Sequence, residues 1–120
     1  MLKEEYMIAT KATEAIEQAV CYELQNIVKK YGATYNSEHE AYAVLKEEVE
    51  EAVDAVNELD QKLSDIWLCI KNNFVISETL MFEATEQAKG LAEEAVQCAA
   101  VLERFLSTVG GKENAGNKKE

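Results

Sequence analysis

Residues 44–53 read VLKEEVEEAV, a stretch that combines the spacing of an amphipathic helix with a high density of carboxylates. Because residues three and four apart share one face of a helix, Glu48 and Glu51 fall on a stripe with apolar neighbours. Glu47 and Glu50 fall on a second, outward stripe. Two carboxylates beside apolar side chains are unfavourable unless a cation or hydrogen-bond donors satisfy them. The pair is therefore either part of a metal site or the edge of a solvated face.

Apolar residues recur at helical spacing on both sides of this stretch and predict an all-α protein. The predicted helices are a first from Leu2 to Tyr31, a second from about Glu38 to Leu59, a short third that follows Asp60-Gln61-Lys62 and ends at Asn72-Asn73, and a fourth from about Ser77 to Thr108. Ser37 precedes the second helix as a capping residue. We therefore expect a helical bundle of three long helices and one short helix, completed by oligomerisation.

The domain organisation is predicted to be simple. At 120 residues the chain is long enough for one core, and we expect a single all-α domain over residues 1–109. Gly110-Gly111 is predicted to end the last helix. Because the following residues are almost all polar, residues 110–120 are expected to form a disordered tail.

The composition excludes several functions and partners. The chain carries 23 acidic residues against 12 basic ones, so no basic face is expected for nucleic acid or for an anionic membrane surface. It has neither the apolar run of a membrane span nor the features of a signal peptide. Its three cysteines are far apart and are predicted to be reduced core residues. We expect a soluble cytoplasmic protein.

Carboxylates are the side chains with the clearest chemical potential. The interior glycines are isolated, which excludes a glycine-rich phosphate loop, and the single histidine, His39, has no second ligand at zinc spacing. On the last predicted helix, Glu94 lies between Leu91 and Cys98, on the apolar side. Carboxylates that converge from two helices suit Mg²⁺, a hard ion that takes oxygen ligands.

Two segments of the chain resemble a known enzyme superfamily. Residues 37–51, SEHEAYAVLKEEVEE, and residues 93–100, EEAVQCAA, are similar to the MazG-like all-α nucleoside triphosphate pyrophosphohydrolases, and most similar to their compact phage and bacterial branch. The resemblance covers roughly residues 31–106. It implies that an E-x-x-E motif and a later E-x-x-D motif bind Mg²⁺, or Mn²⁺ in its place, while a nucleoside triphosphate is cleaved to a monophosphate and pyrophosphate.

The resemblance also implies roles for particular residues. Glu48, Glu51 and Glu94 match three metal-binding carboxylates, and Gln97 stands where the superfamily has an aspartate. Glu47 or Glu51 would orient or deprotonate the attacking water. The candidate substrate contacts are Lys71, Asn73, Lys89 and Trp67. The implied partners are a nucleotide substrate and further copies of the chain, as a homodimer or homotetramer.

Gln97 leaves a second interpretation open. An amide oxygen can ligate Mg²⁺ but adds no negative charge, so the predicted site is weaker than a four-carboxylate site. The chain is then either an Mg²⁺-dependent nucleotide pyrophosphohydrolase or a catalytically weakened or inactive helical binding or assembly module with the same fold.

Overall fold

The computed structural model describes the backbone of residues 2–118 and the side chains of residues 10–110. The chain forms three helices, α1 (Leu2–Tyr31), α2 (Glu38–Lys71) and α3 (Glu78–Lys118). Residues 2–118 contain no strand. The predicted all-α class is therefore confirmed. No helix among these residues combines the length and hydropathy of a membrane span.

Two details of the predicted helices are wrong. Asp60-Gln61-Lys62 does not interrupt the chain, so the predicted second helix and short third helix are the single helix α2. Aspartate, glutamine and lysine all tolerate a helix interior, and Lys62 gains an ion pair with Glu83, 2.7 Å from nitrogen to oxygen. The pair Gly110-Gly111 does not end α3, which continues to Lys118. The disordered tail from residue 110 stays a prediction, because the side chains beyond that residue lie outside the described part.

Serine hydroxyl groups cap the starts of α2 and α3, and the cap at Ser37 was predicted. The Ser37 hydroxyl accepts a hydrogen bond from the Glu40 amide at 3.1 Å, and the Ser77 hydroxyl accepts one from the Leu80 amide at 3.0 Å. Each hydroxyl satisfies a backbone donor that the first turn of a helix leaves without a partner. At the end of α1, Gly32 adopts a φ of 97°, which glycine reaches without strain.

The described residues fall into two compact units. Among these residues, the first unit comprises those up to residue 45 and those from residue 96 onwards, and the second comprises residues 46–95. Among the described residues the first unit has five buried apolar side chains, and three of them, Tyr35, Ala41 and Val101, pack as one core cluster. Its cysteine Cys21 is exposed, so the prediction that all three cysteines are core residues is wrong for that position.

Arg104 is the buried charge that ties the first unit together. Its guanidinium donates to the carbonyl oxygens of Tyr31, Gly32 and Thr34, each at 3.1 Å, and lies 4.0 Å from the centre of the Tyr35 ring. The Tyr31 carbonyl ends α1 and the Gly32 carbonyl follows it directly, at the end of the helix where the dipole favours a positive charge. Arg104 therefore attaches the α1–α2 connection to α3.

We predict that Arg104→Met lowers the free energy of unfolding by about 2–4 kcal/mol, because the charged hydrogen bonds from the buried guanidinium to three carbonyl oxygens are lost. Urea unfolding followed by circular dichroism measures this change. Lys89→Met is the control, since Lys89 is mostly exposed and its loss is expected to change stability by less than about 0.5 kcal/mol. Equal stability of the two variants would contradict the role assigned to Arg104.

Candidate metal centre

Three carboxylates converge in the second unit. Glu48 and Glu51 lie one turn apart on α2, and Glu94 lies on α3. One ligand oxygen from each residue lies within 4.8 Å of the others. Glu48 and Glu94 are half-buried, whereas Glu51 is exposed. The three residues that the sequence predicts as carboxylate metal ligands are thus brought together, with one side open to solvent.

The register of the two helices explains this convergence. Lys62 of α2 meets Glu83 of α3, and Glu51, eleven residues earlier, meets Glu94, eleven residues later. The helices of the second unit therefore run antiparallel. Eleven residues are close to three full helical turns, so both contacts lie on the same line of contact between α2 and α3, about 16 Å apart. We call this line of contact the seam.

Repulsion and desolvation both act on the carboxylates. The pKa of Glu48 is raised by burial and then by the negative charges of Glu51, Glu94 and Glu47. The pKa of Glu94 is raised by burial, by the charge of Glu51, by a hydrogen bond between these two carboxyl groups, and by the charge of Glu93. Without a cation, the cluster is therefore electrostatically strained at neutral pH.

One oxygen of the cluster is left unsatisfied. Oε2 of Glu94 is buried and has no hydrogen-bond partner among the described residues. Along the same seam, Lys62 neutralises the charge of Glu83. In the cluster, a third carboxylate takes the place that the lysine has in that pair. A divalent cation with oxygen ligands fits this arrangement, because it would supply the missing positive charge and occupy the unsatisfied oxygen.

The other two residues predicted at this site have different surroundings. Glu47 is exposed and acts on the cluster through its charge, which raises the pKa of Glu48. Gln97 belongs to the first unit, where its side-chain amide donates to the Glu23 carboxylate at 3.1 Å. The sequence analysis missed Glu23, since the contact joins residues 74 positions apart and no local pattern signals it.

Three of the four predicted substrate residues lie far from the carboxylates of their own chain. Lys71 ends α2 and is roughly 30 Å along that helix from Glu51, and Trp67 is roughly 24 Å from Glu51. Asn73 lies beyond Lys71 in the turn, with a φ of 56°. Lys89, which is mostly exposed, pairs with Glu86 at 3.2 Å. Within one chain, Lys71, Asn73 and Trp67 therefore do not gather around the carboxylates.

A second polar group on the seam was not predicted. The side-chain oxygen of Gln87 is buried without a hydrogen-bond partner in the described part of the chain. Gln87 precedes Glu94 by seven residues, two helical turns, and so lies on the same face of α3. The seven-residue spacing between Gln87 and Glu94 is the sequence signal that predicts the position of Gln87 on the seam.

Comparison of the chain with protein-family models, with curated proteins and with solved structures found no match. The proposed function therefore rests on the residues of the candidate site.

We predict that Glu48→Gln stabilises the metal-free protein at pH 7, by about 0.5 kcal/mol or roughly 2–4 °C in Tm, because it removes like-charge repulsion. The raised pKa values of Glu48 and Glu94 mean that the folded chain holds protons that the unfolded chain releases. Their contribution to stability is present below their ordinary pKa and is lost as the pH rises through the raised values.

Urea unfolding at pH 4.5, 5.5 and 7 measures this profile. The decline in stability with rising pH is expected to be shallower in Glu48→Gln than in the parent. Glu50→Gln, at an exposed position on the same helix, is the matched control and is expected to retain the parent's profile. A less stable Glu48→Gln protein with an unchanged pH profile would show that the cluster is not strained.

Proposed function

We propose that this chain is an Mg²⁺-dependent nucleotide pyrophosphohydrolase that converts a nucleoside triphosphate to a monophosphate and pyrophosphate. The observation that carries the proposal is the convergence of Glu48, Glu51 and Glu94 within 4.8 Å, with a buried oxygen that lacks a partner. The MazG-like resemblance of residues 37–51 and 93–100 supplies the reaction class. Mn²⁺ is the expected substitute for Mg²⁺.

Each carboxylate has a role that follows from its surroundings. Glu48 and Glu94, which are half-buried on facing helices, would hold the metal from two sides. Glu51 is exposed and adjacent to both, so it can complete the ligand set and face the substrate. Bound Mg²⁺ would supply positive charge against the triphosphate and the leaving pyrophosphate.

The reaction is a hydrolysis at the α-phosphorus. Water attacks this phosphorus, the bond to the oxygen that bridges the α- and β-phosphates breaks, and pyrophosphate leaves with the bonding electron pair. The proton of the attacking water passes to a carboxylate oxygen of Glu51 or Glu47, both of which are exposed to solvent. The substrate contacts proposed from the sequence remain Lys71, Asn73, Lys89 and Trp67, in a homodimer or homotetramer.

A second candidate function is a helical binding or assembly module without turnover. The hydrogen bond between Gln97 and Glu23 favours it, because the residue at the expected aspartate position already serves a structural contact. A carboxylate at position 97 would lose this bond and face Glu23. Gln97→Asp is therefore expected to lower the free energy of unfolding by about 1 kcal/mol unless a bound cation compensates.

The two functions are separated by measuring pyrophosphate release from a panel of nucleoside triphosphates with Mg²⁺ and with Mn²⁺. We predict release by the parent chain, and at least a 100-fold loss in Glu48→Gln, the scale on which removal of one charge-stabilising group acts. Glu50→Gln is the matched control and is expected to remain active. Activity that survives in Glu48→Gln rules out this site, and an inactive parent without a metal-dependent thermal shift favours the module.

A further inference from the structure

A groove runs along the first unit between α1 and α3. Gln97 of α3 donates to Glu23 of α1, and Arg104, seven residues later, donates to Tyr31, eight residues later. The two helices therefore lie side by side in the parallel sense. Because both rise by the same distance per residue, one side of their contact forms a straight channel with a volume of about 350 Å³. We call this channel the α1–α3 groove.

The floor of the α1–α3 groove is apolar. Val20 is buried, and Leu24 and Ala99 beside it are half-buried. At one end, Ile16 has 56% of its surface accessible. Leu106 is 69% exposed and follows Ala99 by seven residues, two helical turns, so it extends the same face of α3. The groove thus presents a strip of apolar surface to solvent.

Carboxylates lie at the rims of the groove. Glu17 borders it from α1 and Glu103 borders it from α3, and both side chains are exposed. Among the described residues, no lysine or arginine lines the groove. Along α1, residues 12–28 hold three glutamates and no basic residue. Arg104 does not offset this charge, because it is buried and donates to carbonyl oxygens of the α1–α2 connection.

This combination of an apolar floor and acidic rims restricts the occupant. A second copy of the chain is a poor match, because a contact between two such grooves would bring Glu17 and Glu103 against their own copies. A nucleic acid carries the same sign of charge and is repelled. A neutral apolar segment would cover the floor but would leave the rim carboxylates less hydrated and without a partner. The remaining match is an apolar surface with cationic edges.

We infer that the α1–α3 groove binds a basic amphipathic helix of a partner protein. Such a helix places apolar side chains three, four and seven residues apart into a groove. Lysines or arginines on its flanks pack their aliphatic stems over Ile16 and Leu106, and their charged ends reach Glu17 and Glu103. The apolar strip extends over about 12 Å of α1 and about 11 Å of α3, so a partner helix of about three turns covers it.

Cys21 reports on the groove, because its thiol lies in the lining and it is the exposed one of the three cysteines. Iodoacetamide is expected to alkylate Cys21 of the free chain faster than Cys98, as measured by mass spectrometry. A synthetic helix of about fourteen residues, with leucine on one face and lysine on both flanks, is expected to slow the alkylation of Cys21 several-fold. The same peptide with glutamate in place of lysine is expected to give no protection.

Variants of the rim test the role of charge. Fluorescence anisotropy of the labelled lysine peptide measures the affinity at low ionic strength. The double variant Glu17→Gln/Glu103→Gln is expected to bind roughly tenfold more weakly than the parent and with a smaller dependence on salt. Glu50→Gln/Glu58→Gln removes the same charge from exposed positions of α2 and is expected to retain the parent's affinity.

A variant of the floor tests the role of apolar contact. Ile16→Gln is expected to weaken binding of the lysine peptide roughly tenfold, because one large apolar side chain is no longer covered. Leu68→Gln is the matched control, since Leu68 is a similarly exposed apolar residue of α2, and it is expected to bind as the parent does.

Three results would overturn the inference. The first is equal affinity in the groove variants and their controls, and the second is equal binding of the lysine and glutamate peptides. The third is a Cys21 thiol that reacts no faster than Cys98 in the free chain, which would show that a second copy already covers the groove. None of these measurements requires a nucleotide or a metal ion, so a failure here is distinct from a failure of the proposed reaction.

Discussion

The antiparallel register of α2 and α3 is the constraint on which the candidate site depends. It places Lys62 against Glu83 and, three turns away, Glu51 against Glu94. The first contact is an ordinary ion pair, and the second brings like charges together. A one-residue slip of either helix would rotate its seam residues by about 100° and separate both contacts at once. The favourable pair thus holds the unfavourable cluster in place.

Such a cluster has a physical consequence whatever its biological role. Burial and mutual repulsion raise the pKa of Glu48 and Glu94. The proximity of these carboxylates therefore lowers the stability of the metal-free chain at neutral pH. A bound cation would reverse this loss of stability, because the carboxylates that repel one another would become its ligands. Carboxylates that are brought together in this way, with raised pKa values, are candidates for a functional site.

Much of the fold was predictable because its signals are local. The start of α2 follows from Ser37, and the shared face of Glu48 and Glu51 follows from their spacing. The predicted helix break at residues 60–62 was wrong. Three consecutive polar residues interrupt the apolar pattern and so resemble a helix end, because the sequence does not reveal that Lys62 pairs with Glu83. The contacts of Arg104 and of Gln97 join distant parts of the chain, so no local pattern specifies the partner of either residue. An arginine between Val101 and Phe105 was the weak indication that Arg104 is buried.

The central claim is that Glu48, Glu51 and Glu94 form a divalent-cation site, and calorimetric titration of the metal-free protein with Mg²⁺ tests it most directly. We predict one ion per chain, with binding lost in Glu94→Gln and retained in Glu93→Gln, its neighbour on α3. The absence of binding in the parent, or equal binding by both variants, would contradict the claim.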